Sequence, residues 1–144
     1  MNTLPTWFLW ALGSAAFAAL TAIFAKLGLR GVDSDYATLI RTWVIVLALT
    51  MFVVYAGKWS DPSQLSARTW TFLILSGLAT GASWLCYFRA LQIGQASQVA
   101  PVDKLSLLLV AVFAVVFLGE RPSPREWLGI AMVGAGVLVL GWRR

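Results

Sequence analysis

The sequence predicts an all-α membrane protein with five transmembrane helices. Apolar residues make up 60% and charged residues 12% of the 144-residue chain, whereas ordinary soluble domains contain about 45–50% apolar and about 25% charged residues. Five apolar runs are each long enough to cross about 30 Å of hydrocarbon at about 1.5 Å per residue. Because the connections between the runs are short, we expect one transmembrane domain over residues 1–144 and no soluble domain.

The first three predicted spans cover residues 5–27, 37–57 and 70–93. Small residues line one face of the first span, where they would let a neighbouring helix approach closely. They are Ser14, Ala18, Thr21, Ala25 and Gly28. Asp35 or Ser34 is predicted to cap the second span. Gly77 and Gly81 predict a close helix contact on the third span.

The last two predicted spans cover residues 97–118 and 124–142. Ser123, Pro124 and Glu126 have the spacing of a capping box that opens the fifth span. Four glycines in this span would also let a neighbouring helix approach closely. They are Gly129, Gly134, Gly136 and Gly141. Six of the eight tryptophans lie near span ends, as in the aromatic belts of membrane proteins. They are Trp7, Trp10, Trp59, Trp70, Trp127 and Trp142.

The basic residues are divided evenly between the two sides of the predicted bundle. The N-terminal side receives Lys58, Arg68, Arg121 and Arg125, and the opposite side receives Lys26, Arg30, Arg143 and Arg144. Orientation follows an excess of Lys and Arg in the cytoplasmic loops, so this balance gives almost no bias. Two interpretations remain open: a single orientation fixed by other factors, or a dual topology in which copies insert both ways.

Composition argues against several classes of function. The chain has a net charge of +5 but no basic cluster, so the basic residues are expected to anchor loops and not to bind nucleic acid. There is no histidine, and Cys86 is the single cysteine. We find no phosphate-binding loop, nucleophile constellation or metal-ligand spacing. The sequence therefore predicts neither an enzyme nor a bound metal or cofactor.

Four charged residues are predicted to lie within spans, near the side opposite the N-terminus, namely Arg41, Arg89, Asp103 and Lys104. Arginine and lysine can reach the membrane surface from such depths by extending their stems. Asp103 cannot, because its side chain is short and it lies roughly 10 Å into the fourth span. An ionised aspartate there needs a partner or a water-filled cavity. We therefore predict that Asp103 lines a water-accessible cavity and is paired with Arg41 or Lys104 of the same or the partner chain.

A polar stripe follows the third span. Ser76, Thr80, Ser83 and Tyr87 are separated by 4, 3 and 4 residues, so they share one helix face, and Trp84 borders them. Arg89 projects roughly opposite. The stripe fits a hydrogen-bonded seam between helices as well as it fits a substrate path, because Ser and Thr serve both purposes.

The chain resembles the EamA-type domain of the drug/metabolite transporter superfamily. The matching stretches are 22–28 (AIFAKLG), Arg41, 84–91 (WLCYFRAL), 100–106 (APVDKLS), 117–121 (FLGER), Gly129 and Gly134. The resemblance implies one half of a ten-helix inverted-repeat transporter that moves small metabolites across the bacterial inner membrane, often outward. The small multidrug resistance proteins of this superfamily are antiparallel dimers that use a glutamate in the first helix. This chain has no glutamate there, so their cationic-drug mechanism is not expected.

From these residues and this resemblance we expect a half-size secondary transporter that acts as an antiparallel homodimer within the lipid bilayer. Its small-molecule substrate would bind in the dimer cavity near the membrane centre. The expected site comprises Arg41, Thr80, Ser83, Trp84, Tyr87, Asp103 and Lys104. The charges within the spans favour a substrate with a carboxylate or phosphate. The alternative is a non-transporting membrane subunit that stabilises or regulates a partner protein.

Overall fold

The computed structural model describes residues 5–141, and this part of the chain is helical with no β-strand. The helices are α1 (Thr6–Gly28), α2 (Ser34–Tyr55), α3 (Ala67–Ile93), α4 (Ala96–Asp103), α5 (Ser106–Phe113) and α6 (Pro124–Gly141). A 3₁₀ turn at Pro62–Gln64 lies between α2 and α3, and a π-helical turn at Ala114–Leu118 extends α5. The prediction of an all-α fold is confirmed.

Within residues 5–141, four helical segments are long and apolar enough to cross a membrane. They are α1, α2, α3 and the composite segment Ala96–Leu118. Their large apolar side chains are mostly exposed, as expected of helices that are surrounded by lipid. The 18-residue α6 carries Arg125 and Glu126 in its first turn and is not among the four. Its predicted end, Trp142, lies outside the described residues, as do Arg143 and Arg144, so the fifth span stays a prediction.

The start of α2 differs from the sequence prediction. Asp33, and neither Ser34 nor Asp35, is the N-cap. Asp33 has extended backbone angles, and its Oδ1 accepts hydrogen bonds from the backbone N–H groups of Asp35 (2.9 Å) and Tyr36 (3.0 Å). These bonds satisfy two of the four amides that a helix start leaves unpaired. The cap prediction was wrong because the helix begins three residues before the apolar run does.

The capping box at the start of α6 is confirmed. The backbone N–H of Ser123 donates to Glu126 Oε2 at 2.6 Å, and the backbone N–H of Glu126 lies 3.4 Å from Ser123 Oγ. The Ser123 hydroxyl also donates to Glu126 Oε2 at 2.8 Å. Pro124 occupies the first helical position, where a missing N–H costs nothing.

The predicted fourth span is not one regular helix. Pro101 lies within α4 and has no N–H to donate to the carbonyl of Ser97. The backbone tightens directly after this proline. The backbone N–H of Lys104 donates to the carbonyl of Pro101 at 2.9 Å and that of Leu105 to the carbonyl of Val102 at 3.0 Å, three residues back in each case. Regular α-helix resumes at Ser106. The segment finally widens into the π-helical turn and ends at Gly119, whose φ of 68° suits glycine.

The chain divides into two compact units. The first contains α1 up to Ile23 and the chain from Gly94 onward, and the second contains 24–93. In the first unit α6 packs against α4 and α5. A Cβ added to Gly134 would lie 2.8 Å from Leu108 Cδ2, which confirms one of the predicted close approaches in α6.

In the second unit α2 packs against α3. Its buried apolar residues are Leu29, Phe88 and Leu91. A Cβ added to Gly77 or Gly81 would meet no heavy atom of this unit within 4 Å. The contact predicted for this pair is therefore not made inside the unit.

Candidate functional site

An ion pair joins the start of α2 to the end of α3. The Arg89 guanidinium donates from Nε to Asp35 Oδ1 at 3.0 Å and from NH2 to Asp35 Oδ2 at 2.5 Å. Such two-point pairs between a guanidinium and a carboxylate are among the stronger hydrogen-bonded contacts. This pair was not predicted, because its members are 54 residues apart in the chain. Its one available signal was that both residues lie at the same end of the predicted bundle.

Two further hydrogen bonds fasten the same end of the second unit. Lys26 Nζ donates to the carbonyl of Leu91 at 2.5 Å, and Gln92 Nε2 donates to the carbonyl of Val32 at 2.9 Å. The Lys26 bond satisfies a carbonyl in the last turn of α3, where helix carbonyls lack partners within the helix. We call the set Lys26, Val32, Asp35, Arg89, Leu91 and Gln92 the polar clasp.

Arg41 of α2 is held against aromatic rings of α3. Its guanidinium carbon lies 4.3 Å from the ring centroid of Trp84 and 5.1 Å from that of Phe88. Both distances are within the range of cation–π attraction. We call Trp84 and Phe88 the aromatic platform. Phe88 was not predicted, although it lies one helical turn after Trp84 and therefore on the same face.

One nitrogen of this guanidinium is buried without a hydrogen-bond partner. Arg41 NH1 is shielded from solvent, and it has no acceptor among residues 5–141. A buried donor without an acceptor is costly, and more so when it carries charge. The platform compensates the charge in part, but the ring faces do not replace an oxygen acceptor in the plane of the guanidinium.

The other predicted residues of α3 continue along the same helix. Tyr87 is half-buried and interacts electrostatically with Arg41. Thr80 donates its hydroxyl to the carbonyl of Ser76 at 2.8 Å, and Ser83 is exposed. The second unit thus brings Arg41 together with Trp84 and Tyr87, while Thr80 and Ser83 lie about one turn earlier on α3.

Asp103 and Lys104 lie at the tightened turn between α4 and α5, in the first unit. Lys104 Nζ is 3.3 Å from Asp103 Oδ2, so the predicted pairing with Lys104 is confirmed. The alternative pairing, with Arg41, concerns a residue of the other unit and stays a prediction. Among residues 5–141 no three carboxylate or thiol side chains lie close enough to hold a metal ion.

The loop between α2 and α3 is ordered by its own hydrogen bonds. The backbone N–H of Ser63 donates to Asp61 Oδ1 at 2.9 Å, and Trp70 Nε1 donates to the carbonyl of Pro62 at 3.2 Å. The bond from the Ser63 backbone, helped by the Ser63 side chain, holds the pKa of Asp61 below its ordinary value.

Comparison with known proteins identifies the family of this chain. The sequence profile of the EamA-like transporter family matches residues 5–142. The chain belongs to the EamA-like transporter family. Together with its four apolar helices, this membership makes the EamA-like protein a multi-pass membrane protein of a transporter family.

Curated relatives of this EamA-like protein are named as transporters. An "uncharacterized transporter in cobO 3'region" of Sinorhizobium sp. is 58% identical over 135 residues, covering 94% of this chain and 96% of that protein. "Uncharacterized transporter YxxF" of Bacillus subtilis is 28% identical, and the match covers 94% of this chain but 42% of that protein.

A third relative is named as a subunit. The "probable 4-amino-4-deoxy-L-arabinose-phosphoundecaprenol flippase subunit ArnE" of Yersinia pestis is 29% identical over 85 residues, covering 58% of this chain and 75% of that protein. No solved structure matches the chain.

Proposed function

We propose that this EamA-like protein is a secondary transporter that exports a small metabolite across the bacterial inner membrane, and that it works as an antiparallel homodimer. The observation that carries the proposal is Arg41, a charged residue of a membrane-spanning helix whose guanidinium rests on the aromatic platform with one donor unsatisfied. Charged residues inside membrane helices are costly and usually serve substrates or ions.

The homodimer is proposed on two grounds. Transporters with inverted repeats bind substrate between two halves of opposite orientation. The Bacillus subtilis relative is more than twice as long as the segment it shares with this chain, because the match covers 42% of it. A second copy of this chain in the opposite orientation would supply the missing half, with α6 as the fifth span of each copy.

Within this dimer, each proposed role follows from the chemistry of the side chain. Trp84 and Tyr87 would contact the substrate, Thr80 and Ser83 would form hydrogen bonds with it, and Arg41 would supply charge. Asp103 and Lys104 would supply further charge from the turn between α4 and α5. Broken membrane helices commonly serve as binding elements in transporters, since their exposed backbone groups and free helix ends face the ligand.

A second candidate function rests on the relative that is named as a flippase subunit. In that case the chain would be a non-transporting component that stabilises or regulates a partner protein. Its polar residues would then hold helices together instead of lining a path.

The two functions are separated by a flux measurement. Inside-out vesicles from cells that produce the protein are incubated with a metabolite extract, and the contents are analysed by mass spectrometry. We expect at least one metabolite to accumulate relative to vesicles without the protein, and to accumulate less with Trp84→Ala. If no metabolite accumulates and the protein purifies with a second polypeptide in fixed ratio, the subunit function replaces the transporter.

A further inference from the structure

The positive charge of Arg41 has no carboxylate to balance it within the second unit. This unit contains three acidic residues, namely Asp33, Asp35 and Asp61. Asp33 caps α2, Asp35 pairs with Arg89, and Asp61 is bonded in the α2–α3 loop. Each carboxylate is therefore engaged with a partner other than Arg41.

Two other basic residues are already paired with carboxylates and are therefore less available to bind an anionic ligand. Arg89 is neutralised by Asp35 within the polar clasp, and Lys104 of the first unit is next to Asp103. Of Arg41, Arg89 and Lys104, Arg41 is thus the residue whose charge is not paired with a carboxylate. In apolar surroundings such a charge attracts a counter-charge far more strongly than it does in water.

The geometry restricts what kind of group can approach. Trp84 and Phe88 lie against the guanidinium and hold it by cation–π attraction. The buried NH1 group has no acceptor among residues 5–141. In general, a planar or tetrahedral oxyanion can accept two parallel hydrogen bonds from adjacent N–H groups in the plane of a guanidinium. A lipophilic cation would be repelled by the same charge.

We propose that Arg41, held by Trp84 and Phe88, is an oxyanion-binding site that takes the phosphate or carboxylate group of a ligand. That the ligand is the transported substrate rests on the proposed function; that the site binds an oxyanion does not. Arg41 lies seven residues after the start of α2, about 10 Å along the helix, so a lipid phosphate and a water-soluble anion can both reach it.

The test is equilibrium binding to the purified full chain in a neutral maltoside detergent, measured by isothermal titration calorimetry. The probes are inorganic phosphate, succinate and dihexanoyl phosphatidic acid, with tetraphenylphosphonium as the cationic control. We expect the protein to bind at least one oxyanion probe and not the cation. Binding of phosphatidic acid alone would support the site with a lipid source, and binding of phosphate or succinate would support it with a soluble source.

Two variants and one matched control decide the assignment. Arg41→Gln should weaken binding about 10-fold or more, the loss expected when a charged hydrogen bond is removed. Arg41→Lys keeps the charge but loses the two-point geometry, so it should also weaken binding, and it decides the question if the glutamine variant does not fold. Arg30→Gln removes the same charge from an exposed loop position and should bind as the unmodified chain does.

Two results would overturn the proposal: no binding of any oxyanion probe, or equal binding by the Arg41 variants and the unmodified chain. Failure of the transporter proposal has a different signature. In that case the vesicles would show no metabolite flux while oxyanion binding and its dependence on Arg41 persist.

Discussion

Asp103 shows how a short acidic side chain is kept within a largely apolar segment. Its carboxylate lies beside Lys104 at the one place where the segment Ala96–Leu118 tightens. Pairing removes much of the cost that an unpaired carboxylate would carry in lipid. The sequence predicted a pairing with either Arg41 or Lys104, and Lys104 was a candidate because it is the adjacent residue.

Replacing Asp103 by Asn distinguishes binding from packing. If the carboxylate serves the substrate, Asp103→Asn should insert normally, unfold at an unchanged temperature and transport more slowly. If it serves helix packing, the variant should unfold at a lower temperature and transport at the same rate per folded protein. Metabolite flux in vesicles and thermal unfolding in detergent measure the two quantities. A variant that changes neither quantity would deny Asp103 both roles.

Asp61 gives a pH dependence with a defined sign. Its pKa is lowered in the folded protein, so the fold favours the carboxylate form. The resulting stabilisation is present above the ordinary value of 3.8 and is lost as the pH falls below it toward the lowered pKa. We expect Asp61→Asn to flatten the fall in thermal stability across this acid range. Identical pH profiles for the variant and the unmodified chain would contradict this account.

At the scale of the helices, the contact between α6 and α5 depends on the absence of a side chain at Gly134. A Cβ there would come within 2.8 Å of Leu108, whereas a Cβ at Gly136 would meet nothing within 4 Å. The two glycines lie two residues apart in the same helix, Gly134 buried and Gly136 exposed, so Gly136 serves as the control position.

Gly134→Ala should therefore destabilise the protein, by about 1–3 kcal/mol if Leu108 cannot move aside. Gly136→Ala should be neutral or stabilise the helix by up to about 1 kcal/mol, because alanine favours helix more than glycine does. Thermal or denaturant unfolding in detergent measures both. Adding Leu108→Ala to the Gly134→Ala variant should remove the crowding, and an equal loss for both single glycine variants would refute the contact.

The helices were predictable to the extent that local chemistry determines them. The apolar runs located α1, α2 and α3, and the spacing of Ser123 and Glu126 located the start of α6. The break after Asp103 was missed although Pro101 was visible, because an apolar run gives no sign of where hydrogen bonding shifts from four residues back to three. The Asp35–Arg89 pair was missed because residues 54 apart meet only once α2 and α3 are packed.

The candidate site was predictable in part for the same reason. Trp84 and Tyr87 were found from their spacing on one helix, and Arg41 was found as a charge within an apolar run. That Arg41 rests on Trp84 and Phe88 required the packing of two helices. Phe88 was not predicted because a phenylalanine in an apolar run reads as an ordinary core residue. Its side chain is indeed buried, with 3% of its surface exposed.

At the scale of the whole molecule, the prediction concerns how the protein is oriented in the membrane. Four basic residues on each predicted side give almost no orientation bias. A reporter fused after Arg144 should therefore give signal on both sides of the membrane. Two lysines added to the loop of residues 58–69 should shift the population toward one orientation. Signal from a single side in the unmodified chain would exclude dual topology.

The polar clasp has a mechanical consequence for α2. It joins α1, α2 and α3 at the end where α2 begins, and Arg41 contacts α3 about one third of the way along α2. The helix is 22 residues long, so it extends about 33 Å from this attachment. A tilt of about 10° around the clasp would carry its far end through about 6 Å, while Arg41 would move by about 2 Å at this rise per residue. In such a tilt Arg41 would stay near the fixed point at the polar clasp, and Tyr55 at the far end of α2 would move farthest.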